Sequence, residues 1–261
     1  MKKILFVASE CYPFVKTGGL ADVVGAVPKE FDKRYWDIRV VIPDYTCIPP
    51  QYRDNFKYVT NFNMGVGPYI GEKYVGVMEY EYQGITYYVI DNLEYFEVFY
   101  PYGDVRYDIE KFIFFDKAVL SMLPVIDFQP DLIHCHDWQT GLIPVYLKTE
   151  FQANPFFWGM KSMITIHNLK FQGVWDVKTI QDITGLDKSY FAPDKLEAYG
   201  DGNMLKGGLV YADWITTVSS CYADEIKYPF YGEGLDGLMR ARSGNLSGIV
   251  NGIDYQEYDP E

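Results

Sequence analysis

Thiol and imidazole are scarce in this sequence, with four cysteines and three histidines among 261 residues. Cys11, Cys47, Cys135 and Cys221 are widely spaced with no C-x-x-C pair, which excludes a zinc ribbon and a thioredoxin motif. Four cysteines in a chain this long do not make a disulfide framework, so all are expected as free thiols. Long apolar runs are also missing. The run Ile4 to Ala8 stops at Ser9-Glu10, short of the roughly 7–15 residues of a secretory core. No stretch approaches the ~20 apolar residues of a membrane span. A cytoplasmic protein with no membrane partner is the expectation. Basic charge is in deficit: 23 Lys and Arg against 36 Asp and Glu leave −13, which excludes a general grip on nucleic acid. A small anionic substrate stays open, because one lysine can hold a phosphate. The P-loop pattern G-x-x-x-x-G-K-[ST] and the dinucleotide fingerprint G-x-G-x-x-G are both absent.

Aromatics, by contrast, make up 18% of the chain, enough for a sugar- or protein-facing surface or for an aromatic core. Apolar runs at 3–8, 38–42, 131–135, 162–166, 214–218 and 246–250 read as strands, the first two as strands buried on both faces. Segments 20–31, 108–123, 138–150, 203–212 and 220–227 read as helices, the last capped by Ser219 or Ser220. Segments 74–82 and 85–90 flank Gln83-Gly84 as a β-hairpin, and 91–106 reads as loop. This alternation predicts an α/β fold: a doubly wound, mainly parallel, Rossmann-like sheet with a β-hairpin insertion. Ligands then belong at the carboxyl ends of the strands.

Three strand ends carry polar groups. The first delivers Ser9-Glu10 and then Lys16-Thr17-Gly18-Gly19 just before a helix. Glycines admit a ligand close to the backbone, the helix start offers free N–H groups, and Lys16 adds a cation. That makes a candidate phosphate seat; the plain alternative is a turn. The second end is His134-Cys135-His136-Asp137-Trp138, where His134 and His136 share one strand face. H-x-H followed by Asp offers three metal ligands, but a closed site needs a fourth and His167 is the remaining histidine, so metal is the weaker reading. Asp137 and Trp138 also suit a sugar, carboxylate on hydroxyls and indole under the ring, or else an N-cap and a packing residue. The third end is Thr165-Ile166-His167-Asn168, followed by Gln172-Gly173. Three such ends favour one shared site. The stretch Asn203 to Gly208 reads mostly as helix packing.

Lys16-Thr17-Gly18-Gly19-Leu20-Ala21-Asp22-Val23, preceded by Ser9-Glu10 and Pro13-Phe14, resembles the signature of bacterial glycogen synthases and plant starch synthases. His136-Asp137-Trp138-Gln139, Thr165-Ile166-His167-Asn168-Leu169, Leu205-Lys206-Gly207-Gly208 and Asn251-Gly252-Ile253-Asp254 follow in the family's order. The resemblance covers essentially the whole chain. It implies the N-terminal half of a two-domain GT-B enzyme that transfers glucose from ADP-glucose, with retention, to the non-reducing end of an α-1,4-glucan (glycogen or starch). No metal and no cofactor is implied, ADP-glucose being a substrate. By the same resemblance, His167, Asp137 and Lys16 are catalytic. Lys16, Gly18, Gly19, Asp22, Asn168 and Asn251 would bind the donor's phosphate and glucosyl parts, and Glu10, Tyr95 and Trp138 the acceptor.

The sequence departs from the family in two places. An Arg usually follows the Tyr-Phe of the segment that here reads Tyr95-Phe96-Glu97-Val98-Phe99, and Val98 stands near its place. The family's second domain, with donor-binding Arg and Lys and acidic Glu residues, is not in this sequence. The expectation is an N-terminal catalytic domain at 1–252, the start of a linker at 253–261, and no activity alone. A stand-alone glucan-binding or regulatory module is the alternative.

Overall fold

The computed structural model describes residues 1–252; the linker expected at 253–261 lies outside the described residues. The strands are β1 (Lys2–Val7), β2 (Trp36–Pro43), β3 (Lys57–Gly65), β4 (Glu72–Tyr82), β5 (Ile85–Asp91), β6 (Leu132–His136), β7 (Lys161–Ile166), β8 (Val174–Asp176), β9 (Glu197–Ala198), β10 (Asp201–Asn203), β11 (Trp214–Thr217) and β12 (Leu246–Gly248). The helices are α1 (Gly19–Ala26), α2 (Pro50–Arg53), α3 (Leu93–Phe96), α4 (Val105–Val125), α5 (Leu142–Lys148), α6 (Val177–Thr184), α7 (Met204–Tyr211), α8 (Ser220–Glu225) and α9 (Asp236–Ala241).

Nine strands form one sheet in the order β12-β11-β7-β6-β1-β2-β5-β4-β3. It is parallel except where β4 runs antiparallel to β3 and β5. In β1 the chain is buried from Ile4 onward, the signature of a strand covered on both faces. From β1 the sheet grows toward β2 and β5, then the chain returns with β6 to the other side of β1. The β1–β6 boundary is therefore where strand order reverses, and doubly wound sheets open a crevice there at the carboxyl ends.

Most of the aromatic excess goes into the core. Phe14 meets Tyr52, Phe56, Tyr80, Tyr82 and Tyr87 edge-on, at 4.8 Å for Tyr87, and Tyr45, Tyr95 and Tyr146 are fully buried. Two expected helices are shorter than the pattern suggests. The first stops at Ala26 and tightens into a 3-10 turn at Val27–Glu30, where Pro28 has no N–H to give. The segment 138–150 divides at Gly141 into a 3-10 turn and α5, which puts Pro144 in the first helical turn, where a missing N–H is harmless. A Cβ on Gly141 would lie 2.5 Å from the Met204 carbonyl oxygen, and one on Gly208 would lie 2.9 Å from the Gly141 carbonyl oxygen. Glycine at both positions lets α7 press against the start of α5.

Several elements have no counterpart in the sequence reading: β3, the antiparallel sheet β8-β10-β9, α2, α6, α9, and α3 inside the expected loop. Strands of two or three residues carry no period, and β3 is a largely exposed edge whose register slips between Tyr58 and Thr60. Among the described residues, no helix is long and apolar enough to cross a membrane.

Candidate functional site

The segments leaving β1, β6 and β7 open onto one cleft of about 890 Å³. Glu10 and Thr17 to Leu20 line it after β1, Asp137 to Gln139 after β6, and His167, Asn168 and Lys170 to Val174 after β7. Tyr102, Gly103, Val105 and Asp108 close one side, with Val218 and Asn251. Eight of the expected site residues thus meet: Glu10, Gly18, Gly19, Asp137, Trp138, His167, Asn168 and Asn251.

The β1 segment folds back through paired backbone bonds between Cys11 and Val15, which returns Thr17 to Glu10. The Thr17 amide donates to Glu10 Oε2 at 2.5 Å. Burial raises the Glu10 carboxyl, against the pull of the Thr17 and Gly18 donors. Helix α1 starts with Gly18 as its N-cap, which has no side chain to cover the first amides. Its positive end therefore stays open beside the cleft. Lys16 is not in the lining. Its ammonium pairs with Asp22 at 2.6 Å, next to that helix start.

Asp137 joins two of the strand ends. Its backbone has φ 56° and ψ −167°, a conformation that glycine favours and other residues hold only when their surroundings impose it. Its amide donates to the Thr165 carbonyl at 2.9 Å, and its Oδ1 accepts from the His167 amide at 2.7 Å and the Asn168 amide at 3.4 Å. The carboxylate thus spans strands, whereas an N-cap would bond its own turn. Burial pushes its carboxyl up to about 7, although both amides favour the charged form. Burial also drives the imidazoles neutral, His167 to about 4 and His134 to about 3. Asn168 Oδ1 accepts from the Lys170 amide at 3.0 Å, which leaves its NH₂ for the cleft.

Trp138 is mostly buried, edge-on to Phe112 at 5.3 Å, so it forms part of the floor. Gly173, at φ 62°, lies on the indole; a Cβ there would sit 2.3 Å from Trp138 Cε3. Tyr95 is elsewhere. It stacks on Phe114 at 4.7 Å and donates to Glu110 at 2.8 Å, both on α4, and does not line the cleft. Lys206 also points away, to the carbonyls of Pro193 and Glu197. Among the described residues, no group of three or more His, Cys, Asp or Glu is arranged to hold a metal ion. His134 instead bonds Thr165 at 2.6 Å.

Tyr102, Asp108 and Lys170 line the cleft without having been singled out from the sequence. Asp108 accepts from the Gly103 amide at 2.8 Å and pairs with buried Lys111 at 2.6 Å, which ties the 101–104 segment down. A signal existed: a charged pair three apart within the apolar stripe of α4.

An uncapped helix start, a carboxyl on a strained backbone and an imidazole, gathered at the carboxyl ends of one parallel sheet, define a Rossmann-like domain of the kind that forms one half of a GT-B fold. The chain belongs to the starch synthase catalytic domain family, whose model matches residues 3–241. It is 63% identical, over all 261 residues, to a glycogen synthase of Lachnoclostridium phytofermentans, covering 54% of that protein. A glycogen synthase of Anoxybacillus flavithermus is 50% identical over 259 residues, 99% of this chain and 53% of that one. The chain spans about half the length of the curated relatives it matches. The catalytic domain of starch synthase IV from Arabidopsis thaliana, solved with ADP and acarbose, has a TM-score of 0.84 and 26% identity over 99% of this chain and 53% of its own.

Proposed function

We propose that this chain is the acceptor-side half of a cytoplasmic glycogen synthase, which transfers glucose from ADP-glucose to the non-reducing end of an α-1,4-glucan with retention. The observation that carries the reading is the Asp137–His167 junction beside the open start of α1. The family membership and a relative solved with ADP and acarbose support it. The open start of α1 at Gly18 and Gly19, with Lys16, receives the donor's phosphates, and Asp22 holds Lys16 beside it. Asp137, His167, Asn168 and Asn251 surround the glucosyl unit, while Glu10 and Trp138 face the acceptor. Tyr95 contributes only by packing against α4. Amide dipoles and the lysine stabilise charge on the leaving ADP, and the carboxyl and imidazole orient the sugar as it gains positive charge. Four free cysteines suit a reducing compartment.

Sites of this architecture have two walls, and closure excludes water and completes the set of groups. With one wall, the chain alone binds ligand and transfers nothing. Calorimetric titration with ADP-glucose and with maltoheptaose, beside a glucose-transfer assay on glycogen, tests this. Binding of ADP-glucose that is lost in His167→Ala, with no transfer, is the expected result. Maltoheptaose binding without ADP-glucose binding would refute the donor seat at the start of α1, and binding of neither would refute the acceptor face as well.

A further inference from the structure

All three histidines of the chain stand in one column. His134 and His136, two apart on β6, stack with ring centroids 4.3 Å apart, and His136 stacks on His167 at 5.2 Å. His136 Nδ1 lies 2.9 Å from His167 Nε2. His136 Nε2 is buried and has no hydrogen-bond partner among the described residues, and Phe6 stacks on the same ring at 5.9 Å. His134 is held separately, through Thr165 Oγ1 at 2.6 Å and from there to Thr216 Oγ1 at 2.6 Å.

We infer that His136 is a positioning residue: it donates its Nδ1–H to His167 Nε2 and so fixes His167 in the Nδ1–H tautomer, which presents an N–H donor to the cleft. Burial keeps both rings neutral, so each carries one proton and the shared bond admits two arrangements. If His167 donates, His136 must carry its proton on Nε2, as a buried N–H with no acceptor. Orphaned buried N–H groups are rarer than acceptors left short of a partner. If His136 donates, Nε2 is a bare lone pair beside Phe6, and no donor is stranded. The cleft side of His167 favours the same arrangement. Glu10 and Asp137 share that wall, and Asp137 Oδ1 is 2.7 Å from the His167 amide nitrogen. Carboxyl oxygens on that wall favour an N–H dipole over a second lone pair. On the proposed function, the sugar oxygen that meets His167 is therefore an acceptor.

Long-range ¹H–¹⁵N imidazole spectra of the labelled chain near pH 7.5 read each tautomer directly, and three rings give three assignable patterns. His136 and His167 are both expected as Nδ1–H forms. A proton on His167 Nε2 in the parent protein overturns the inference. His136→Asn keeps an N–H donor close to the Nδ1 position and should leave His167 as Nδ1–H. His136→Asp replaces the donor with a carboxylate oxygen, an acceptor, and should switch His167 to the Nε2–H form. An unchanged Nδ1–H pattern in folded His136→Asp would mean that His136 does not set it. Should that variant fail to fold, the parent spectrum still decides. No ligand is present in these spectra, so their outcome is separate from that of the ADP-glucose titration.

Discussion

Replacing Asp137 with Asn is predicted to stabilise the fold, increasingly as pH rises from about 4 to 8. The folded state raises this carboxyl from an ordinary 3.8 to about 7, with burial as the largest cause. Between those values the folded chain binds a proton that the unfolded chain releases, so the Asp137 contribution to stability falls as pH rises through the window. A shift of this size corresponds to at most ~4 kcal/mol once the group is ionised in both states. Asn keeps an oxygen for the His167 amide, carries no charge to desolvate, and has the shape of Asp, so the backbone strain is common to both proteins. The two proteins should therefore be nearly equal near pH 4 and differ by about 2–4 kcal/mol at pH 8. Glu10 and Asp116, also raised by burial, add a slope of the same sign that cancels in the difference. Urea titrations of both proteins at unit pH steps, followed by tryptophan fluorescence, measure it. A gap that stays flat with pH, or an Asn variant less stable at pH 8, would show that the two backbone N–H bonds outweigh the desolvation, and the reasoning would fail.

Gly173→Ala should lose about 2–4 kcal/mol and alter Trp138 emission, because it combines a left-handed φ with a Cβ driven into a buried indole; denaturant midpoints read the loss. Lys16→Ala should change stability by no more than ~0.5 kcal/mol, since its pair with Asp22 is more than one-third exposed. The same variant should lower ADP-glucose affinity at least tenfold by calorimetry. In native protein a thiol reagent should modify Cys221 first and Cys47 slowly, while Cys11 and Cys135 react only on unfolding.

The central parallel strands were legible because burial on both faces leaves continuous apolar runs, as in Ile4 to Ala8. The segments after β1, β6 and β7 were legible as candidate sites because polar residues follow those runs directly. Partners across space were not legible. That Lys16 is taken up by Asp22 depends on how 8–18 folds back, and that Asp137 reaches His167 depends on the register that sets His136 against Thr165. His134 and His136 were expected on one face by strand period, but the arrival of His167 on their stack follows only from that register. The resemblance assigned Tyr95 to the acceptor side. Its ring packs instead on Phe114 and Glu110, a pairing between α3 and α4 that no local pattern encodes. Edge strand β3 and the two- and three-residue strands of the small sheet left no period to read.

The most direct test joins this chain to the C-terminal half of the Lachnoclostridium phytofermentans glycogen synthase, a 63% identical relative, and measures incorporation of labelled glucose from ADP-glucose into glycogen. The join, the unmodified chain and the join carrying His167→Ala are compared at equal folded concentration. The proposed role of this cleft predicts transfer by the join, none by the chain alone, and a loss on the order of 100-fold or more in His167→Ala per folded molecule. A folded join that transfers no glucose, or a His167→Ala join that transfers at the full rate, would contradict it.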